Sequence, residues 1–242
     1  MPARSSDETE RLLRDLPDFS LVGVLHGASN YTFLARLGPH EQSGLSAVYK
    51  PARGESPLWD FDAGTLYRRE VAAYELSKVL GWPRIPPTVV RRKAPHGVGA
   101  LQLFIDADGR HFLGANSAQP ATWLRVALFD VITNNADRKS GHCLFDKDDQ
   151  VWVIDHGLTF HVEHKLRTVI WDFAGGELPQ DLCGDVERTL IELEKGNLRQ
   201  VLETLISPSE IRVLRRRMRG VLDPAWRFPD PTSAWSIPWP PV

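Results

Sequence analysis

The stretch 130–160, DVITNNADRKSGHCLFDKDDQVWVIDHGLTF, decides how the rest of the chain is read. Its first residues continue an apolar run at helical spacing that stops at Asn134-Asn135, so a helix is expected to end there. A polar turn follows with Asp137, Arg138, Lys139 and His142. The runs CLF at 143–145 and VWVID at 151–155 flank a turn at 146–150 and predict a short hairpin. That hairpin delivers Asp155-His156-Gly157 at the end of an apolar strand. Two carboxylates 18 positions apart, Asp137 and Asp155, are thereby folded toward each other. Phosphoryl transfer wants this arrangement: one carboxylate orients an attacking hydroxyl, and a second holds magnesium against a triphosphate. Gly157 lets the backbone turn directly after the metal ligand.

Upstream, matching parts appear. Phe19 to Leu37 reads as two strands around the turn His26-Gly27-Ala28-Ser29-Asn30. Leu45 to Lys50 alternates as a third strand, and 51–64, rich in Gly, Pro and Asp, reads as a loop. Residues 65–80 switch to helical spacing and stop at Gly81. The runs TVV (88–90) and ALQLFID (101–106 with Ala100) then complete about five strands. Lys50, ending a strand, is placed to reach the α- and β-phosphates of a nucleotide. Glu70 on the inserted helix is placed to pair with it. The turn 27–30, with Ser29 and Asn30, can cover phosphates with backbone N–H groups.

Downstream the chain turns helical. Pro120 opens one helix. A single amphipathic helix is expected over 185–206, and Ser207-Pro208 with Glu210 reads as the capping box of another. The tail 223–242 holds six prolines and three tryptophans; proline excludes a helix, and the tryptophans point to an extended segment anchored on the surface by aromatic burial. The arginines at 215–217 and 219 read as a solvated helix face, and His156, His161 and His164 lack the surroundings of a zinc site.

Composition bounds the alternatives. The 242 residues are 42% hydrophobic and 25% charged, near the average for globular domains. Basic and acidic residues nearly cancel, at 29 against 31, so no DNA- or RNA-coating role is expected. No window supplies the roughly 20 apolar residues of a membrane span. The charged start MPARSSDETERLLRDL lacks the apolar core of a signal peptide. Two cysteines make no disulfide framework. A cytoplasmic, monomeric, soluble protein is expected.

Taken in order, Lys50, Glu70, Asp137 and Asp155 on a β-rich, then α-rich chain resemble the protein-kinase-like superfamily. The nearest resemblance is to phosphatidylinositol 3-/4-kinase-like proteins, including type II phosphatidylinositol 4-kinases, HipA-like bacterial kinases and small bacterial stand-alone members. VYKPARGESPLWDF (48–61) resembles their lysine strand and loop, ADRKSGH (136–142) their catalytic loop, and IDHG (154–157) their metal-binding motif. The resemblance spans roughly residues 20–220.

It implies an α+β, two-lobed protein-kinase-like fold: an N-terminal segment 1–18, a β-rich N-lobe with one helix at 19–106, a mainly helical C-lobe at 107–222, and the tail. It implies ATP and Mg2+ as cofactors, and phosphate transfer to a hydroxyl of a protein, lipid or small-molecule acceptor. Lys50 would bind phosphates with Glu70 fixing it, and Leu103, Phe104 and Ile105 would belong to the hinge that holds adenine. Asp137 would be catalytic and Asp155 the principal metal ligand. Lys139 stands where the family has a histidine and would stabilise the transferring phosphate. His142 stands where the family has a metal-binding asparagine; as a nitrogen donor it suits Mn2+ better than Mg2+, unless Asn134 or Asn135 supplies the oxygen. Two alternatives stay open: a nucleotide-binding pseudokinase, and an AMP transferase on the same fold.

Overall fold

Strand alternation from Leu45 to Pro51 sets the face on which the N-terminal unit builds its core. In a computed structural model describing residues 4–25, 30–38, 44–115 and 119–242, this strand buries Leu45, Ala47, Tyr49 and Pro51 and turns Ser46, Val48 and Lys50 to the other face. It is β3 of a five-stranded antiparallel sheet made of β1 (Phe19–Val24), β2 (Phe33–Leu37), β3 (Leu45–Pro51), β4 (Thr88–Arg91) and β5 (Gly99–Leu103). The spatial order is β1-β2-β3-β5-β4. Helix α1 (Ser6–Asp15), capped by Ser5, packs Leu13 among Leu37, Ala47, Tyr49, Val89 and Leu101. Buried Arg91 of β4 donates to the carbonyls of Leu13 (3.1 Å) and Leu16 (2.6 Å) and to Arg14, so a strand cation satisfies the orphan carbonyls at the end of α1. Helix α2 (Leu66–Leu80) stops at Gly81, whose φ of +84° suits glycine.

The chain divides into two compact units, 1–74 with 86–105, and 75–85 with 106–242. The second is mainly helical: α3 (Phe112–Ala115), α4 (Pro120–Thr133), α5 (Gln180–Lys195), α6 (Asn197–Glu203) and α7 (Pro208–Val221), with a hairpin of β6 (Cys143–Phe145) and β7 (Val151–Val153). Helix α4 is buried through Trp123, Val126, Ala127, Leu128, Phe129 and Ile132, as its apolar sequence demands. The Trp123 ring meets Phe112 and Phe145 edge-on at 5.0 and 5.9 Å. The capping box of Ser207 and Glu210 opens α7 as read from sequence. The architecture is α+β, with the sheet in the first unit and most helices in the second. No helix among the described residues is long and apolar enough to cross a membrane.

Two expectations are corrected. The single helix over 185–206 is two, and the first begins earlier, at Gln180. Gly196 separates them with an extended backbone (φ −101°, ψ −168°), where an added Cβ would lie 3.0 Å from Glu192 Cα. The apolar spacing continues across that break, which is why the sequence reads as one helix.

Aromatic burial is not what holds the end of the tail. Trp235 and Trp239 are 80% and 85% exposed, as is much of Ile237, whereas Ser236 and Pro238 are buried. Trp235 sits in a 3-10 turn, Ala234–Ser236, that points Ser236 inward and the tryptophan outward. The apolar anchor is Phe228, 4% exposed, whose backbone exchanges hydrogen bonds with Gly175 and Gly176.

Candidate functional site

In the first unit, Lys50 leaves the sheet on the face opposite the core, and its Nζ pairs with Oε1 of Glu70 on α2. Glu70 is 3% exposed, so the ion pair is shielded on the carboxylate side. The strand beside Lys50 needs glycine. A Cβ at Gly99 would come within 2.4 Å of the Lys50 carbonyl oxygen and 2.7 Å of Pro51 Cα. Asn30 uses its side-chain oxygen to accept from the Ser56 amide at 2.7 Å, fastening the loop after β3. Ser29 and the rest of the turn at 26–29 lie outside the described residues. At the end of β5, the amides of Leu103 and Phe104 donate to the carbonyls of Pro87 (2.8 Å) and Ser46 (3.0 Å). Leu103, Phe104 and Ile105 are all half-buried.

In the second unit the loop after α4 is built around one buried ion pair. Asp130 and Arg138 are both fully buried, and the Arg138 Nε lies 3.2 and 3.1 Å from the two carboxylate oxygens. The rest of the guanidinium reaches across to the hairpin. Nη1 donates to the Ile154 carbonyl at 2.8 Å, and Nη2 lies 2.8 Å from His156 Nε2. An arginine only donates, so Nε2 of His156 accepts and the ring carries its hydrogen on Nδ1. Arg138 thus grips the residues on either side of Asp155, while its own neighbour in the chain is Asp137. Asp155 itself sits at φ +60°, an uncommon conformation for a residue other than glycine.

Both asparagines are committed to the loop. Asn134 adopts the left-handed conformation (φ 55°) that ends α4. Its side chain donates to the carbonyls of His161 (3.0 Å) and Glu163 (2.6 Å) and accepts from the Lys165 amide. Asn135 donates to Asp130 (2.9 Å) and accepts from the Asp137 amide (3.0 Å). Each side-chain oxygen accepts one backbone amide, Lys165 for Asn134 and Asp137 for Asn135, so both side chains are anchored within the loop.

Asp137 is partly buried, and this desolvation pushes its carboxyl up to about 6; Lys139 and Arg167 pull it down, and Asp155 adds to the rise. Lys139 Nζ lies 3.7 Å from Asp137 Oδ2. Arg167 is brought there by the backbone: its amide donates to Asn135 and its carbonyl accepts from Arg138, at 2.9 and 3.0 Å. Its Nε is buried with no hydrogen-bond partner among the described residues. His142 Nδ1 accepts from the Lys139 amide (3.3 Å), and Nε2 lies 3.3 Å from Asp155 Oδ2. With Nδ1 accepting, the ring hydrogen sits on Nε2 and faces the Asp155 carboxylate. In this geometry His142 orients Asp155.

Sequence reasoning gave Arg138 and Arg167 no role and left Asp130 undecided. The available signal was an aspartate on an otherwise apolar helix, eight residues before an arginine. The arginine run on α7 is more engaged than a solvated face: Arg215 and Arg219 pair with Glu194, and Arg217 donates to the His161 carbonyl. Burial lowers Arg217 to about 10.

No family model matches the chain. It is 36% identical to protein Rv2133c of Mycobacterium tuberculosis over 97% of this chain and 95% of that protein. It is 33% identical to phosphatidylinositol 4-kinase gamma 4 of Oryza sativa subsp. japonica over 43% of this chain, but only 22% of that protein. Among solved structures, hydra Fam20 superposes with a TM-score of 0.53 at 15% identity, covering 91% of this chain and 89% of that one. The Helicobacter pylori proinflammatory kinase CtkA gives 0.52 at 11%, covering 86% and 92%. The Golgi casein kinase with Mn/ADP bound gives 0.52 at 16%, covering 90% and 74%. These likenesses give the chain a kinase-like fold.

Proposed function

This chain belongs to the family of protein Rv2133c of Mycobacterium tuberculosis, and we propose that it is an ATP-dependent phosphotransferase of the phosphatidylinositol 3-/4-kinase-like type. The reaction moves the γ-phosphoryl group of ATP to a hydroxyl, leaving ADP and a phosphate ester. The observation that carries this reading is the Arg138 grip, which ties the loop of Asp137 to the strand end bearing Asp155 and leaves the two carboxylates in unlike surroundings. A raised carboxyl near neutrality is what a general base needs, and a half-exposed carboxylate is what a metal–nucleotide needs.

The roles follow from position. Asp137, ionised above about 6, accepts the proton of the attacking hydroxyl. Lys139, beside it, neutralises charge on the phosphoryl group in transit. In the first unit, Lys50 binds phosphates and Glu70 holds its ammonium in place. Leu103, Phe104 and Ile105 meet the base, and Asn30, with Ser29, belongs to the turn over the phosphates.

The donor set fits magnesium that arrives with nucleotide. Asp155 offers a carboxylate, and among the described residues no group of three or more His, Cys, Asp or Glu forms a cage. Magnesium in such sites takes one or two carboxylates and fills the rest with phosphate oxygens and water. When bound, the metal withdraws charge from the phosphates. His142 keeps Asp155 aligned for it, and becomes a ligand only by giving up its hydrogen-bonded arrangement with Lys139.

One observation favours a second reading, a nucleotide-binding pseudokinase: His142 stands where the resemblance places an asparagine ligand and faces Asp155, while Asn134 and Asn135 are anchored within the loop. Thermal-shift titration with ATP, with and without magnesium, followed by mass analysis of products, separates the cases. A magnesium-dependent shift with ADP and phosphoester produced supports the kinase. The shift without turnover supports the pseudokinase, and no shift at millimolar nucleotide overturns both.

A further inference from the structure

The residues 232–241 contain no charged side chain, yet their backbone lands on the segments of Lys139 and Arg167. The Ser140 amide, one residue beyond Lys139, donates to the Pro241 carbonyl at 2.8 Å. The Thr168 amide, one residue beyond Arg167, donates to the Ser236 carbonyl at 3.0 Å. Those segments are also paired directly, since Arg138 donates to Arg167 (3.0 Å) and Val169 donates to Arg138 (3.1 Å). The tail therefore closes a ring of backbone hydrogen bonds around Arg138 and Arg167.

The docking is buried where it matters. With the tail in place Ser140 is wholly buried and Thr168 is 3% exposed, so both amides are satisfied by tail carbonyls and not by water. The Ser140 hydroxyl is fixed separately, accepting from the Leu113 amide at 2.8 Å and lying 2.7 Å from His111 Nδ1. Ser236 and Pro238 face inward while Trp235 and Trp239 face out. The tail also leaves the reactive groups open: the side chains of Asp137 and Asp155 keep 28% and 47% exposure. This is the geometry of a support behind the loop and not of a plug over it.

We propose that segment 232–241 is a positioning element of the catalytic loop, holding residues 137–142 and 166–170 in register through the amides of Ser140 and Thr168. Its effect on turnover rests on the kinase reading; its effect on loop order does not. Displacing the support loosens the placement of Asp137 and Lys139, and small misplacements of reacting groups are costly in rate.

The test uses the full chain with Pro238→Asp, which puts a carboxylate at a buried position and lifts the segment, and Phe228→Ala as a second way to free it. Hydrogen exchange of the Ser140, Thr168, Asp137 and Arg138 amides is read beside turnover with magnesium-ATP. The expected result is faster exchange at all four amides and a turnover loss of about tenfold or more, with the nucleotide-induced thermal shift retained. A synthetic peptide of residues 229–242 should restore both exchange protection and turnover. Unchanged exchange at Asp137 and Arg138 overturns the proposal, as does unchanged turnover once Ser140 and Thr168 have lost protection. A wild-type chain that turns over no ATP sinks the kinase reading alone, because the exchange arm still reports whether the tail orders the loop.

Discussion

Burial pushes the Asp137 carboxyl up to about 6 against the pull of Lys139 and Arg167, so this group changes charge inside the working pH range. A general base acts ionised; turnover should therefore fall about tenfold per pH unit below about 6 and level off above it. Arg167→Gln removes one of the two cations that favour the ionised form, and should move that acid limb upward by about one unit, while Arg167→Lys should keep it in place. The same shift has a stability sign. A raised carboxyl binds its proton more tightly in the folded state, so its contribution is fully present below the unfolded value and is lost as pH rises through about 6. His142 allows a separate test at this scale. If it orients Asp155 through Nε2, His142→Ala should weaken metal–nucleotide binding alike with magnesium and manganese, about tenfold in affinity by titration. A loss confined to manganese would instead make it a ligand.

Elements place these residues, and two single changes test how. Gly99 lets β5 pass the end of β3, where a Cβ would strike the backbone of Lys50 and Pro51. Gly99→Ala should cost about 1–3 kcal/mol in denaturant unfolding and weaken ATP binding, because the residue that must move is Lys50. On the other unit, α4 and the end of β7 are joined by Arg138. Arg138→Met leaves the Asp130 carboxylate buried without its cation, a change worth about 3–5 kcal/mol. Combining it with Asp130→Asn should recover part of that loss, since the uncompensated charge is then gone; equal instability of single and double variants would mean that Arg138 acts through packing alone.

Over the whole molecule, the tail shows most plainly what residue type alone fails to say. Phe228→Ala should destabilise by about 3–5 kcal/mol, whereas Trp235→Ala and Trp239→Ala should stay within about 0.5 kcal/mol, all by urea unfolding. The sequence reading leans on the tail's tryptophans, and the aromatic that the fold buries there is Phe228. By itself the sequence determined most elements, because hydrophobic period, capping residues and turn residues act over a few positions: the strands around Lys50, the helix bearing Glu70, the hairpin behind Asp155 and the capped start of α7 are all local statements. It also singled out Lys50, Glu70, Asp137 and Asp155 as candidates, charged residues that stand in or beside apolar runs. Only the tertiary structure decided that Arg138 answers Asp130 and grips both neighbours of Asp155, that Asn134 and Asn135 are spent on the loop, that His142 faces Asp155, and that the amides of Ser140 and Thr168 find their acceptors in the tail. The physical reason is desolvation: what a buried polar group costs, and which partner it must then find, depends on the segments that meet around it, and local sequence does not specify that meeting.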